Sequence, residues 1–295
     1  MDCDVAIIGA GPAGIQAAMH SSRKKASTVV IGKASGSAVA GTRIGNYFGT
    51  GEVSGEGMLS EGRRQAEATG AVFVEENVIS AASSDGVFTL GLEGGETVTA
   101  RAVVLATGIS RMKLNVPGEK ELFGKGVSYC AVCDCNFYRG RRAVIVGNDS
   151  EAAVSAELMT GYASETHWSF WDLKANDALV EKARAAGVVF HQSRPVSIDG
   201  DGKVESVVLE DGTVIPTDGV FIELGAKSAA DLALDLGAMP ELDDTIKVDA
   251  SCCCAGIPGL YACGDVTGKP WQVAKAVGQG CIAGMAAADY ARGTK

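Results

Sequence analysis

Two cysteines three residues apart, followed by an acid, are the residues best equipped for chemistry: Cys130-Ala131-Val132-Cys133-Asp134. Thiols at this spacing can close a small-ring disulfide and exchange it with a partner. The thiolate is the reactive form, so a proton relay beside the pair is needed, and Asp134 is placed for it. Zinc binding is the competing use. It needs two further ligands, which Cys135, the Cys252-Cys253-Cys254 run, His167 or His191 could supply. A third reading is an inert buried pair. No spacing among His20, His167 and His191 suggests metal ligation, so no metal is expected. A second constellation is Gly9-Ala10-Gly11-Pro12-Ala13-Gly14. It follows an apolar strand and opens an alanine-rich helix, the setting a dinucleotide turn requires. Gly9 permits the tight turn, Gly11 lets a pyrophosphate approach the backbone, and Gly14 allows the helix to pack on the strand. The helix N-terminus then offers its N–H groups to phosphate. One expected partner is missing: no Asp or Glu lies between Asp4 and Glu52. An adenosine ribose must therefore use Ser or Thr side chains, Lys33, main chain or water.

These residues need a frame. Asp4–Gly9 reads as a buried parallel strand, with a helix to about residue 22 and the next strand at Thr28–Gly32, the start of a βαβ unit. Residues 83–100 alternate polar and apolar, as a small antiparallel excursion would. An apolar strand spans 102–108. A second βαβ unit begins at Arg141, with a strand at 143–147 and a helix from Ser150 to Gly161. Late in the chain, 259–265 reads as a strand leading into a small-residue helix over 272–291. Two dinucleotide-type units in one chain form an internal duplication. The last strand and helix read as a return to the first unit. The expected fold is therefore α/β: two Rossmann-like three-layer domains, the second inserted into the first. The outer domain takes residues 1–113 and 244–295, and the insert takes 114–243.

Composition excludes several classes of function. The 295 residues carry a formal charge of −10, which argues against nucleic acid or an anionic membrane, since both select basic patches. No apolar run reaches the ~18 residues of a membrane span, and the N-terminus shows no signal peptide. Nine cysteines in a chain of this length suggest catalysis or metal binding, not a secreted disulfide framework. The expected compartment is cytoplasmic.

The segment YCAVCDCNFYRGRRAVIVG resembles the active-site segment of low-molecular-weight thioredoxin reductases, which runs CATCDGFFYRGK into a strand. IGNYFG (44–49), VLATG (104–108), PGLYACGDV (258–266) and WQVAKAVGQG (271–280) also resemble that family's flavin-contacting segments, in the same order. The likeness covers essentially the whole chain. It implies an FAD-dependent dithiol–disulfide oxidoreductase. Cys133 would exchange electrons with the flavin, Cys130 would attack the partner disulfide, and Asp134 would move its proton. FAD contacts are implied at Gly9, Gly11, Pro12, Ala13, Gly14, Thr42, Asn46, Val78, Thr107, Gly108, Gly264, Asp265, Gln272, Val273 and Ala274. Asp265 would bond the ribityl chain. Gln272 to Ala274 would present a helix start to the flavin edge where negative charge develops. The family also implies a homodimer, and domains that rotate to expose Cys130. Cys135 stands where the family has glycine, and packing is its favoured role. The 252–254 run reads as a turn with incidental cysteines.

The insert departs from that family. Ordinary members bind NADPH there with a GxGxxA turn and a basic HRR-type strand end. Here the turn is Gly147-Asn148-Asp149-Ser150-Glu151-Ala152, and Trp171-Asp172 stand where two arginines belong. Carboxylates beside a pyrophosphate repel it. Losing two charged hydrogen bonds would weaken a 2′-phosphate ligand by about 10²–10⁴-fold. Asp172 suits a free ribose instead. NADPH is therefore an unfavoured donor; Asp172 leaves NADH open, and Asp149 counts against it. Near the flavin, the family's Arg-Gln is Trp271-Gln272. Aromatic planes at a vacated nicotinamide site could stack on a second flat ring; the plain alternative is that the tryptophans fill an abandoned site. The expected second site comprises Gly147, Asn148, Asp149, Ser150, Trp171, Asp172 and Trp271, with a second FAD as favoured occupant, as in the diflavin-linked branch. Other readings are a ferredoxin-dependent reductase, docking through Lys113, Arg139, Arg141 and Arg142, an O₂-using dithiol oxidase on a small molecule, and a non-catalytic FAD scaffold.

Overall fold

The computed structural model describes residues 1–108, 113–225, 227–241 and 243–293. The chain divides into two compact units, residues 1–110 with 228–295, and residues 111–227 between them.

The first unit begins with β1 (Asp2–Ile8), α1 (Pro12–Arg23) and β2 (Thr28–Ile31). Next come a short hairpin of β3 (Arg43–Ile44) and β4 (Val53–Ser54), then α2 (Gly55–Ala68) and β5 (Val72–Val74). Three strands complete this part: β6 (Val78–Ser84), β7 (Val87–Leu92) and β8 (Thr97–Leu105). β1 pairs in parallel with both β2 and β8. It is central and covered on both faces, so Val5–Ile8 can be continuously apolar. β8 has two roles. Phe88–Gly91 of β7 pair antiparallel with its first half, Thr97–Ala100. The excursion expected over 83–100 is therefore part of the main sheet. The strand expected at 102–108 starts earlier, at Thr97, and stops at Leu105. Gly108 then has φ +81°, a left-handed backbone that ends extension.

The second unit holds β9 (Val127–Ser128), α3 (Ala131–Asp134) and β10 (Arg142–Val146). There follow α4 (Ser150–Thr160), β11 (Glu165–Phe170), α5 (Asp177–Ala185) and β12 (Val189–Gln192). A three-stranded antiparallel sheet of β13 (Pro195–Asp199), β14 (Ser206–Leu209) and β15 (Val214–Pro216) precedes β16 (Gly219–Ile222). The main sheet is parallel, in the order β12-β11-β10-β16-β9. Its apolar face, including Val144, Val146, Val220 and Ile222, packs with Ile198, Val207 and Leu209 of the small sheet.

The chain returns to the first unit with α6 (Ala229–Asp235), β17 (Leu260–Ala262) and α7 (Val273–Gly293). The crossing lies at 227/228, before the 244 expected. Ala229, Leu232, Ala233 and Leu236 are buried against Leu90, Leu92 and Val98 of the first unit, which claims α6. β17 pairs in parallel with the second half of β8. α7 packs tightly on α1: a Cβ on Gly280 would lie 2.3 Å from the Ala13 carbonyl oxygen, and one on Gly284 2.2 Å from that of Ala17. No helix among the described residues is long and apolar enough to cross a membrane.

Candidate active site

Cys130 and Cys133 form a disulfide, with Cα atoms 5.4 Å apart. The turn explains why. Cys130 is extended at the N-cap of α3, and its sulfur accepts the Cys133 N–H at 3.2 Å. Ser128 Oγ accepts the Cys130 N–H at 3.1 Å. Cys130 is buried, and Cys133 is exposed. Both sulfurs are bonded to each other, so a zinc site loses its first two ligands. Asp134 donates its N–H to the Cys130 carbonyl at 3.3 Å, and the Asp134 charge, with burial as the larger cause, pushes the Tyr138 phenol up. Cys135 is buried, its thiol on the Val132 carbonyl, so it packs.

Two features beneath this turn were missed in the sequence. Glu223 follows β16, and its buried Oε1 accepts the Ala131 N–H at 2.8 Å and the Ser155 hydroxyl at 3.3 Å. The signal was an acid closing the apolar run GVFI. Glu119 is the other: it accepts the Tyr129 hydroxyl at 2.7 Å and the backbone N–H groups of Leu114, Asn115 and Val116.

In the first unit the glycine turn has the shape its sequence requires. Gly9 has φ +116°, and a Cβ there would meet the Ala106 carbonyl oxygen at 2.3 Å. A Cβ on Gly14 would meet the Gly9 carbonyl oxygen at 1.9 Å. Gly11 caps α1, Pro12 occupies its first turn, and Ala13 is buried behind it. A cavity of about 480 Å³ opens beside the turn, lined by Ala10, Ser35, Glu56, Leu59 and Phe73 among others. Lys33 does not face it as a free cation, because it is ion-paired to buried Glu93.

Several dispersed residues converge. Asn46 Nδ2 donates to Gln272 Oε1 at 2.9 Å, which joins the 44–49 loop to the start of α7. Val273 opens that helix, with Ala274 in its first turn. Thr42 holds its own loop through the Val39 carbonyl, and Val78 is core. Thr107 Oγ1 and Asp265 Oδ1 are buried, and no hydrogen-bond partner reaches them among the described residues. Such groups are costly unless something else satisfies them. Gly264 (φ +84°) turns the chain into the Asp265 turn, where Lys275 Nζ bonds the carbonyls of Gly264 and Gly268. Burial pushes the Asp265 carboxyl up, opposed by Lys275. The residues therefore fit a polyhydroxylated dinucleotide cofactor: a pyrophosphate turn, an adjoining cavity, and orphaned buried oxygens.

Asp265 also yields a pH prediction. A carboxyl whose folded pKa is raised destabilises the folded state once it ionises, so cofactor-free protein should lose stability as pH rises from the ordinary Asp range through the raised one. Asp265→Asn should flatten that loss. Denaturant midpoints across pH 4–7 test it; parallel curves for both proteins would contradict it.

The 252–254 run forms a turn on Asp249, with Cys253 at φ +57°. Burial pushes the Cys253 thiol up to about 11 and the Cys254 thiol to about 12. Thiols held protonated are poor nucleophiles. His167 and His191, whose spacing suggests no metal ligation, meet across β11 and β12 with ring nitrogens 2.9 Å apart.

At the second turn, a Cβ on Gly147 would meet the Glu223 carbonyl oxygen at 2.0 Å. Asn148 Oδ1 accepts the N–H groups of Trp171 (2.9 Å) and Asp172 (3.2 Å). Asp149 is the N-cap of α4, without a side-chain cap bond, and Ser150 Oγ accepts the Asn176 N–H. Asp172 is ion-paired with Lys174 at 2.7 Å, and Arg194 lies over the Trp171 ring at 5.2 Å. Trp168 is ordinary core, its indole donating to the Gly147 carbonyl. Trp271 is half exposed in the first unit, with Lys269 over its ring.

Comparisons with known proteins agree with this arrangement. Residues 3–280 match the pyridine nucleotide-disulphide oxidoreductase family, and the chain belongs to that family. It is 34% identical to a thioredoxin reductase of Listeria innocua over 97% of this chain and 93% of that protein. A Peptoclostridium litorale thioredoxin reductase is 33% identical over 97% and 96%. Among solved structures, an atypical thioredoxin reductase, TRi, of Desulfovibrio vulgaris Hildenborough matches with TM-score 0.85 and 34% identity, over 98% of each chain. A ferredoxin-flavin thioredoxin reductase of Clostridium acetobutylicum matches with TM-score 0.69 and 30% identity, over 99% of this chain and 98% of that one. The protein is a flavin disulfide oxidoreductase of the thioredoxin reductase kind.

Proposed function

We propose that this enzyme passes electron pairs between a partner dithiol or disulfide, the Cys130–Cys133 pair and FAD, without taking hydride from NADPH. When bound, FAD supplies the two-electron acceptor and donor. The Gly9–Gly14 turn would hold its pyrophosphate, Thr107 and Asp265 its polar chain, and Gln272 to Ala274 its ring edge. By the family likeness, Cys130 would be the sulfur for the partner, which requires that it be uncovered from its buried position, Cys133 would be the one for the flavin, and Asp134 would carry the proton. The relatives are named thioredoxin reductases, which makes a thioredoxin-type dithiol the first partner to test. A homodimer in a reducing cytoplasm completes the reading; seven of the nine cysteines are free thiols.

One observation carries NADPH independence. The end of β11, where a 2′-phosphate needs paired cations, runs into Trp171 and Asp172, and Asp172 engages Lys174. Asp149 adds a second negative group at the turn. The family's name includes pyridine nucleotides, so this is a departure within it. A second FAD is the favoured occupant: its flat ring would take the place of Arg194 on the Trp171 plane, and Asp172, beside Lys174, would accept from a free ribose hydroxyl. Ferredoxin as donor is the next reading, on the likeness to the Clostridium acetobutylicum protein. Its docking patch is weakened, since Arg142 pairs with Asp218 and Arg139 stacks on Tyr162.

Flavin counted per chain after denaturing the purified protein, with the flavin identified by chromatography, tests this. Two FAD per chain are expected. One FAD per chain would remove the second-flavin reading and turn attention to reduction by ferredoxin.

A further inference from the structure

We propose that Glu223 is a positioning residue of the redox pair: its buried carboxylate holds the first turn of α3 and biases Cys130–Cys133 toward the disulfide. The inference rests on the reading of that pair as redox-active, and it adds the group that sets the pair's poise.

Glu223 is 7% exposed. Its Oε1 accepts the Ala131 N–H at 2.8 Å, one residue after Cys130. The Ser155 hydroxyl of α4 donates to the same oxygen at 3.3 Å. Its own N–H bonds the Val146 carbonyl at 2.8 Å, which anchors it at the end of the parallel sheet. The donor at Ala131 and the N–H that reaches the Cys130 sulfur, from Cys133, belong to the same turn. The carboxylate and that sulfur therefore face the same short stretch of backbone.

The electrostatic sign follows. Reduction adds two electrons to the S–S bond, which breaks; with two protons the products are two thiols, and with one they are a thiol and a thiolate. Negative charge on sulfur is disfavoured near a buried carboxylate. Glu223 therefore opposes reduction, while its hydrogen bond to Ala131 keeps the turn in shape in either state. A second consequence concerns place. The Glu223 backbone carbonyl abuts Gly147, where a Cβ would lie 2.0 Å from it. The same residue thus touches the second nucleotide turn and the redox turn, both inside one unit.

The test is a dithiol–disulfide equilibrium of the FAD-loaded protein against dithiothreitol buffers, read by alkylation and mass spectrometry. Dithiothreitol supplies the electron pair and closes to its cyclic disulfide. No nucleotide is used, so the outcome is independent of the donor question. Glu223→Gln keeps an oxygen for Ala131 and removes the charge. The reduced form should gain about tenfold, equivalent to ~30 mV for a two-electron couple, and the alkylation rate of the reduced protein should rise at lower pH. Ser155→Ala removes a donor that favours the charged carboxylate, so it should shift the equilibrium in the same direction by two- to threefold. A Glu223→Gln equilibrium within twofold of the unmutated protein, or the two variants moving in opposite directions, would overturn the proposal. Should Glu223→Gln fail to fold, Ser155→Ala decides alone, and no shift in it overturns the proposal. A pair in the unmutated protein that dithiothreitol cannot reduce would remove the functional reading and this one together.

Discussion

Cys133→Ser is expected to lower disulfide turnover by about 10³-fold or more while leaving the FAD complement intact. A serine cannot close a disulfide with Cys130, so no electron pair can be stored between the partner and the flavin. The fold should tolerate the change. Cys133 is exposed, and its backbone N–H, which reaches the Cys130 sulfur, is retained by serine. The residues proposed to hold FAD lie in the other unit. Turnover with a small dithiol–disulfide couple, together with the absorbance of bound flavin, reads both quantities. A non-catalytic flavin scaffold would behave identically with and without Cys133, and such a result would sink the catalytic reading.

The largest expected effect on stability belongs to Glu119→Ala. Glu119 is 4% exposed. It accepts three consecutive backbone N–H groups, those of Leu114, Asn115 and Val116, and the hydroxyl of Tyr129. Asn115 sits at φ +59°, a left-handed backbone that asparagine tolerates better than most side chains. Alanine would leave four donors without their acceptor. Each orphaned donor costs about 1–3 kcal/mol, and because the four share one partner their sum is not additive. A loss of about 3–5 kcal/mol from the inserted unit is expected, comparable with breaking a buried charged network. Tyr129 directly precedes Cys130, so the redox turn should loosen as well. Urea unfolding followed by tryptophan fluorescence measures it, since Trp168 is fully buried in that unit. A loss under about 1 kcal/mol would contradict the account.

What could be read from the sequence was local. The Gly9–Gly14 turn, the Cys130–Cys133 spacing and the apolar runs of β1, β10 and β17 each state their geometry within a few residues. The two-unit α/β architecture followed from their repetition. What escaped depends on residues distant in the chain. Glu223 meets Ala131 only because β16 ends beside the start of α3. Asn148 caps the Trp171–Asp172 turn because β10 and β11 are parallel neighbours, and no local pattern says so. His167 and His191 show no telling spacing, yet the β11–β12 pairing makes them partners. The crossing lies before α6 and not at 244, because Ala229, Leu232 and Ala233 are buried with Leu90 and Leu92, far back in the chain. Asn46 and Gln272 entered as separate motif positions, and their hydrogen bond shows that the two segments build one surface.

The second turn shows how a departure from pattern can be legible while its consequence is not. Asp149, Trp171 and Asp172 stand out in the sequence as replacements for a glycine and two arginines. The sequence does not reveal that Asp172 would engage Lys174, or that Arg194 would cover Trp171. Both cations are supplied from outside the motif. Lys174 engages Asp172, and Arg194 lies over the Trp171 ring.

The most direct test mixes the oxidised, FAD-loaded protein anaerobically with either dithiothreitol or NADPH and follows flavin absorbance by stopped flow. Bleaching by the dithiol, lost in Cys133→Ser, is expected, with no bleaching by NADPH on the same timescale. Rapid bleaching by NADPH, unaffected by Cys133→Ser, would contradict the proposed function.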